Sequence, residues 1–488
     1  MSLVTQRAAR QFFWVLVFLF CTRLLAMYYI PLNDSTEARY GEIARIMLET
    51  HNWITPMHQY NVPFWAKPPL SIWLSALSMK VLGVSPFAAR LPGFLLSLSI
   101  LGLVWSIAKR RGGVTAAMTA TLVLAGTLYF YLNSGTVMTD PSLLFSTSLI
   151  MIAFWQTVME RQRSWRYLFF IGMGVGLLAK GPVALILAVM PIGLWVLIER
   201  RWLAIGRVFP WFKGLFLTAV IALPWYCLAE LKTPGFLYYF IVGEHLGRFL
   251  QPGWQGDKYG FAHVAPYGMI WIYALFGTFP WCLPGGMWLY QNRKRLPSLN
   301  QEDKSWIRYL LLSALTPLVF FTFARNIIYP YVFPSLPAFA LLFVELVKHA
   351  SIPEQQLKRL FPIATTVGFI FSIAIAVFVW DPEWVAKSQD RVVAAYKTQS
   401  PTAQSRLIYW TAKTDYSAQF YSEGRATSTL YPKELCRLLA NNTKNYVVLD
   451  SEELRPIPDP LMSQLQKISE VRVLSKIYTI YVADHPSC

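Results

Sequence analysis

Residues 31–70 place carboxylates and cations inside an otherwise greasy sequence: Asp34, Glu37, Arg39, Glu42, Arg45 and Lys67. Charge beside hydrocarbon is costly, so such a cluster marks a functional site by default. Further along come Asp140, Lys180, His245, Arg248 and Arg325, each at the edge of an apolar run. Carboxylates and cations gathered at one membrane surface suit one kind of chemistry. Lys and Arg hold a lipid phosphate at headgroup depth. A carboxylate deprotonates or orients an attacking group. Partial exclusion of water makes each of these charges act more strongly.

Each residue also has a purely structural reading. Asp34 precedes a helical pattern and reads equally as an N-cap, with Glu37 completing a capping box. Glu42 and Arg45, one turn apart, read as a helix-surface pair. Lys67 before Pro68-Pro69 reads as a snorkelling lysine. Asp140-Pro141 suits the start of a span, and Lys180-Gly181-Pro182 reads as a turn. His245 and Arg248 sit one helical turn apart and can share a face. Tyr329 and Tyr331 fit an interfacial aromatic belt.

The elements that must position these residues follow from composition. The chain has 488 residues, of which 55% are hydrophobic and 14% charged. A soluble domain carries about 25% charge. Repeated apolar runs of roughly 18–22 residues indicate a polytopic α-helical membrane protein. The net charge of +18 would suit nucleic acid. The Lys and Arg residues lie mostly in short loops between apolar runs, however, which is the positive-inside pattern; no nucleic-acid partner is expected. The first apolar run lacks a small-residue cleavage site and reads as a retained span.

Charge then sets the topology. Arg7 and Arg10 precede span one at 11–30, so the N-terminus is expected inside the cell. The run 68–83 is short, opens Lys67-Pro68-Pro69 and contains Lys80, so it is expected to lie at the outer interface. Spans follow at 87–107, 114–133 and 142–159. Residues 167–199 divide into two spans at Lys180-Gly181-Pro182, and further spans fall at 209–229, 266–289, 307–323, 328–346 and 361–380. This gives eleven spans within an expected architecture of about 11–13 transmembrane helices. Nearly every basic loop falls inside, and the conspicuous acidic residues fall outside.

Residues 383–488 are more polar and carry strand-like runs at 406–410, 446–450 and 477–483. They predict a small α/β domain on the outer face, beyond a membrane domain at 1–382. If that face is periplasmic, Cys436 and Cys488 either pair or stay free. Cys21, Cys227 and Cys282 fall in apolar segments. There is no metal-ligand spacing of Cys or His. The carboxylates leave room for a divalent metal without requiring one, and no other cofactor is expected.

The order of motifs resembles a known family. Asp34-x-x-Glu37-x-Arg39-Tyr40-x-Glu42-Ile43-Ala44-Arg45 is followed by Trp53-Ile54-Thr55-Pro56 and Phe64-Trp65-Ala66-Lys67-Pro68-Pro69-Leu70. Next come Ala89-Arg90-Leu91-Pro92, Thr139-Asp140-Pro141, Leu178-Ala179-Lys180-Gly181-Pro182 and Glu244-His245-Leu246-x-Arg248-Phe249. Tyr329-Pro330-Tyr331-Val332-Phe333-Pro334 ends the series. This resembles the bacterial aminoarabinose transferase-like family, relatives of protein O-mannosyltransferases with the GT-C membrane fold, over roughly residues 10–350.

The resemblance implies a membrane glycosyltransferase. It would move a sugar from a polyprenyl (undecaprenyl) phosphate donor to lipid A or another envelope acceptor, on the periplasmic face of the bacterial inner membrane. By match, Asp34, with Glu37 beside it, and Asp140 would be catalytic. Lys67, Lys180, Arg248 and Tyr331 would hold the donor phosphate. Arg39, Tyr40, His245 and Tyr329 would line the cavity. Two departures bear on the sugar. The family usually has Glu directly before the Lys-Pro pair, where this chain has Ala66, and an adjacent Asp-Glu pair, where Asp34 and Glu37 are separated. The alternative class is a transporter or flippase for lipid-linked sugars; such proteins place polar sites near the midplane and show inverted repeats.

Overall fold

The computed structural model describes residues 3–260, 263–292, 299–349, 360–381, 386–440, 443–453 and 455–483. Helices dominate up to Trp380. Seven helices among the described residues are long and apolar enough to cross a membrane, and Leu70–Leu82 and Pro182–Ile198 are shorter apolar helices. Large apolar side chains stand outward on these helices. Phe212 is 88% exposed and Leu231 79% exposed on the helix Trp211–Lys232. Such surfaces belong against lipid, where a helix satisfies its own backbone and needs no apolar partner.

Glycine and proline punctuate the helices where the sequence places turns. Pro86–Ala125 runs 40 residues but breaks at Gly113, whose φ of 76° is outside the helical region. It therefore supplies the expected spans at 87–107 and the start of 114–133, which continues as the short helix Leu128–Asn133. Gly181, at φ 78°, separates Trp165–Lys180 from Pro182–Ile198. Pro182 then starts its helix at a position where a missing N–H costs nothing.

Three expectations differ in detail. The run 266–289 is not one continuous helix but Met269–Gly277 and Cys282–Asn292. Nine residues rise only about 14 Å, less than half the hydrocarbon thickness. The run 328–346 begins with a 3₁₀ segment, Tyr329–Ser335, before the helix Leu336–His349. Pro330 and Pro334 remove two amide donors there, which a regular α-helix would need. The helix Thr36–Thr50 has Ser35, not Asp34, at its N-cap.

Two compact units divide the chain. The first comprises Met1–Leu24, Asn52–Leu74 and Arg90–Ser372; the second comprises Leu25–His51, Ser75–Ala89 and Ile373–Cys488. The expected boundary at 382/383 lies outside the described residues. Among the described residues the first unit has a large apolar core and a smaller one around Trp225, Tyr226, Phe236 and Phe240. Around Trp155, Trp195, Trp306 and Tyr309 the larger core is almost wholly aromatic, with Trp155 and Trp306 centroids 4.3 Å apart. A two-stranded antiparallel hairpin, β1 (Met57–Gln59) and β2 (Val62–Pro63), leads into the Lys67 segment.

The second unit contains a five-stranded sheet. Its strands are β3 (Leu407–Trp410), β4 (Ala426–Thr429), β5 (Asn445–Asp450), β6 (Leu465–Val473) and β7 (Lys476–Ala483), in the order β4-β3-β5-β7-β6. β3 is parallel to β4 and β5, whereas β7 is antiparallel to β5 and β6. β3 is buried along its whole length, as a central parallel strand covered on both faces should be. Helix Thr36–Thr50 packs on Tyr416–Tyr421 in this unit. A Cβ on Gly41 would meet Leu32 at 2.7 Å and Phe420 at 3.5 Å, so the close approach requires glycine. Glu42 and Arg45, expected on a helix surface, are 1% and 4% exposed and pair through Arg45 Nε to Glu42 Oε2 at 2.7 Å. Cys436 is disulfide-bonded, and Cys488 lies outside the described residues.

Candidate functional site

Lys67 follows the β1–β2 hairpin and precedes two prolines, which keep its backbone out of a helix. Its ammonium group donates to Glu244 Oε2 at 2.7 Å and to the Ala66 carbonyl at 2.7 Å. Glu244 lies in the π-helical stretch Tyr239–Gly247. Arg248 Nη1 donates to the same Glu244 oxygen at 3.2 Å and lies 3.5 Å from Asp257 Oδ2. Tyr239 donates its hydroxyl to the other Glu244 oxygen at 3.3 Å. Two cations therefore share one buried carboxylate, and Asp257 gives Arg248 a second counter-ion.

Burial pushes the Glu244 carboxyl up, but Lys67 and Arg248 outweigh it and leave the group below its usual range. Burial pulls the Lys67 ammonium down, Glu244 opposes this, and Arg248 adds to it; the net direction is down. Burial acts against the charge on Arg248 as well, but Glu244, Tyr331 and Asp257 reverse the balance and raise it. Chiefly through burial, His245 sits below its ordinary value, and its Nδ1 is 2.7 Å from the Phe240 carbonyl. The backbone carbonyls of Phe240 and Lys180 both act on the ring and oppose that lowering.

Lys180 ends its helix, and Asp140 begins another. A cation at a helix C-terminus and a carboxylate at an N-terminus each suit the local dipole. Lys180 Nζ donates to Asp140 Oδ1 at 2.6 Å and sits 5.2 Å from the centre of the Tyr331 ring. The turn that follows is tight. A Cβ on Gly181 would come within 2.5 Å of the Phe240 ring.

These residues border one pocket of about 380 Å³. Lys67, Lys180, Glu244, His245, Arg248 and Tyr331 supply its polar part, and Leu143, Val183, Phe240, Phe249 and Phe320 supply much of its apolar wall. Asn326 also lines it. Its amide donates to the carbonyls of Arg248 and Gln251 at 2.6 and 2.7 Å, and its oxygen accepts from Gly253 N at 3.1 Å. It thus pins the loop that carries Arg248. Three cations lining an apolar cavity can grip a phosphate while leaving room for its hydrocarbon chain.

The structure thus brings Lys67, Lys180, His245, Arg248 and Tyr331 together, with Asp140 paired to one of them. Tyr329 is 41% exposed and packs on Tyr129 at 5.0 Å; it does not line this pocket. Glu244 and Asn326 carried no assigned role in the sequence. Glu244 stands in the Glu-His-Leu-x-Arg motif, but a carboxylate four residues before an arginine reads as an ordinary helical pair.

Asp34, Glu37, Arg39 and Tyr40 belong to the second unit. Asp34 does not cap its helix. Its carboxylate accepts from Ser417 N at 3.1 Å and from the Ser417 hydroxyl, and its backbone N–H donates to Lys387 O at 2.8 Å. Burial and then Asp415 push the carboxyl up to about 7, against the lowering effect of Ser417 and Lys387. Glu37 is in the first turn of Thr36–Thr50. The Arg39 guanidinium lies 5.5 Å from the buried Tyr40 ring.

Helical topology and pocket together describe a polytopic membrane protein with a cation-lined apolar cavity. Residues 13–240 match the dolichyl-phosphate-mannose-protein mannosyltransferase family model. The chain is 28% identical to an undecaprenyl phosphate-α-4-amino-4-deoxy-L-arabinose arabinosyl transferase of Enterobacter sp. strain 638, over 67% of this chain and 57% of that protein. A second such transferase, from Sodalis glossinidius, is 30% identical over 65% of this chain and 57% of its own length. The chain therefore matches well under two thirds of these relatives. The fold superposes on crystalline ArnT from Cupriavidus metallidurans bound to undecaprenyl phosphate with a TM-score of 0.76 at 18% identity, covering 97% of this chain and 99% of that one. These likenesses make the chain similar in sequence to the aminoarabinose transferases over two thirds of its length, and similar in fold to crystalline ArnT over nearly all of it.

Proposed function

We propose that this protein is a glycosyltransferase of the bacterial inner membrane. It transfers a sugar from a polyprenyl phosphate donor to lipid A or another envelope acceptor on the periplasmic face. The observation that carries this reading is that Lys67, Lys180 and Arg248 all line one largely apolar pocket. The relatives named above are transferases, which favours transfer over the flippase alternative. The N-terminus is cytoplasmic, and the domain at 383–488 is periplasmic, as the distribution of basic loops suggests.

In this reading the three cations bind the donor phosphate and stabilise it as it leaves the sugar. Tyr331 packs beside Lys180, and His245 lines the cavity. Asp140 orients Lys180. Asp34, with Glu37 beside it, is the carboxylate that takes the acceptor's proton; a value near neutrality suits a general base. By the same resemblance, Arg39, Tyr40 and Tyr329 serve as cavity-lining residues. A divalent metal has no assigned step. The test is transfer itself: purified protein, a polyprenyl-phosphate-linked sugar and lipid A, read by mass spectrometry. Sugar addition that disappears in Lys67→Ala supports the reading; lipid-linked sugar crossing vesicles without any transfer would replace it with the flippase.

A further inference from the structure

At the opposite end of two helices that border the pocket, a second group of side chains converges. The helix Gln301–Thr322 reaches the pocket with Phe320 and Phe321 near its C-terminus, and carries Asp303 in its first turn. The segment Tyr329–His349 reaches it with Tyr331 and Pro334 and ends with Glu345 and His349. Twenty-two helical residues span about 33 Å, so the two clusters are separated by roughly the thickness of a bilayer. Asp303, Glu345 and His349 bring one ligand atom each within 4.8 Å of one another.

The arrangement of their oxygens is specific. Asp303 Oδ1 accepts from Arg111 Nη2 at 3.1 Å, and its Oδ2 lies 3.8 Å from His349 Nε2. Glu345 Oε1 accepts from Trp306 Nε1 at 3.1 Å, and its Oε2 lies 3.5 Å from the same His349 nitrogen. Each carboxylate is thus held by one oxygen and presents the other. That is how residues outside a metal's coordination sphere orient its ligands. Glu345 is 4% exposed, and neither its Oε2 nor His349 Nε2 has a hydrogen-bond partner. Two carboxylates facing an imidazole nitrogen need a proton or a metal cation between them.

We propose that Asp303, Glu345 and His349 bind a divalent transition-metal cation of the Zn²⁺ class, clamping the start of one membrane helix to the end of the other. Four-coordinate Zn²⁺ with bonds of about 2.0–2.2 Å keeps its ligand atoms on the order of 3.3–3.6 Å apart. Of the separations to His349 Nε2, 3.5 Å falls within that range and 3.8 Å just beyond it, and all three ligand atoms lie within 4.8 Å of one another. One imidazole and two carboxylates suit Zn²⁺ or Mn²⁺, with water completing the set. Lys348 Nζ, 3.6 Å from Glu345 Oε2, is the competing cation, but its side chain is 40% exposed and can swing into solvent. Arg111 stays on the outer oxygen of Asp303 and keeps the site from carrying excess negative charge.

The test uses the untagged full-length protein in detergent, stripped with EDTA and dialysed against Zn²⁺. Elemental analysis should find about one equivalent per chain, and Zn²⁺ should raise the melting temperature of the stripped protein. Asp303→Asn and His349→Gln should each lose that equivalent, while Co²⁺ in the unaltered protein should give the absorption of a four-coordinate site. Polyprenyl phosphate binding at the other end should be unchanged in both variants. If either variant fails to fold, the zinc-dependent melting shift of the unaltered protein decides. No retained metal, no such shift, or an equivalent that survives both substitutions would overturn the proposal.

Discussion

Lys67 Nζ and Glu244 Oε2 stand 2.7 Å apart, joining residues 177 positions distant in the chain. Glu244 is the counter-ion of Lys67 and of Arg248 at once. Removing it by Glu244→Ala leaves two half-buried cations facing each other. Breaking a buried pair on one side costs about 3–5 kcal/mol, so the variant should melt well below the parent. An anionic ligand replaces the lost carboxylate, so the melting shift caused by polyprenyl phosphate should be larger in the variant than in the parent. Equal shifts in a thermal melt would argue against a phosphate beside Glu244.

Lys67→Ala and Arg248→Ala should each raise the donor KM. A hydrogen bond to a charged group is worth about 1.5–3 kcal/mol, which predicts roughly a 10- to 150-fold change at about 1.4 kcal/mol per decade. Arg248→Lys should recover only part, because a lysine cannot reach Glu244 and a phosphate with separate nitrogens of one planar group. Initial rates across donor concentrations check this, and full recovery by Lys would remove the case for the guanidinium.

Much of the pocket was legible because of where it lies. Lys180 between two apolar runs and Lys67 before a proline pair are expensive placements, and expense points to use. Arg248 came with its motif. Glu244 and Asn326 did not stand out, because their partners are fixed by folding over long separations. The same holds for Asp34. Local sequence offers it a helix to cap, but Ser35 takes that position and Ser417, 383 residues away, takes the carboxylate. The break between Met269–Gly277 and Cys282–Asn292 was hidden for another reason: hydropathy averages over a window longer than either helix.

If Asp34 is the base, transfer should rise with pH through a limb near 7, where its carboxyl loses its proton. Ser417 lowers that value, so Ser417→Ala should move the limb upward. The stability consequence has the opposite sign. A carboxyl raised in the folded state contributes stability at low pH, and that contribution is lost as pH climbs from 3.8 toward about 7. Asp34→Asn should flatten both profiles. A pH–rate limb that stays fixed in Ser417→Ala would assign it to another group.

Gly181→Ala tests the turn behind Lys180. A non-glycine residue at positive φ costs roughly 1–2 kcal/mol, and the new methyl would press on Phe240. The expected result is a lower melting temperature together with a weaker donor affinity, since the Phe240 ring walls the pocket. A variant that melts earlier but binds donor unchanged would separate the turn from the site.

The central claim is that the Lys67–Lys180–Arg248 cluster holds a lipid phosphate. Calorimetric titration of the detergent-solubilised protein with a polyprenyl phosphate tests it most directly, comparing the parent with Lys67→Ala/Arg248→Ala. The predicted outcome is a saturable site in the parent, weakened by at least about 100-fold in the double variant. Undiminished affinity in a folded double variant would contradict it.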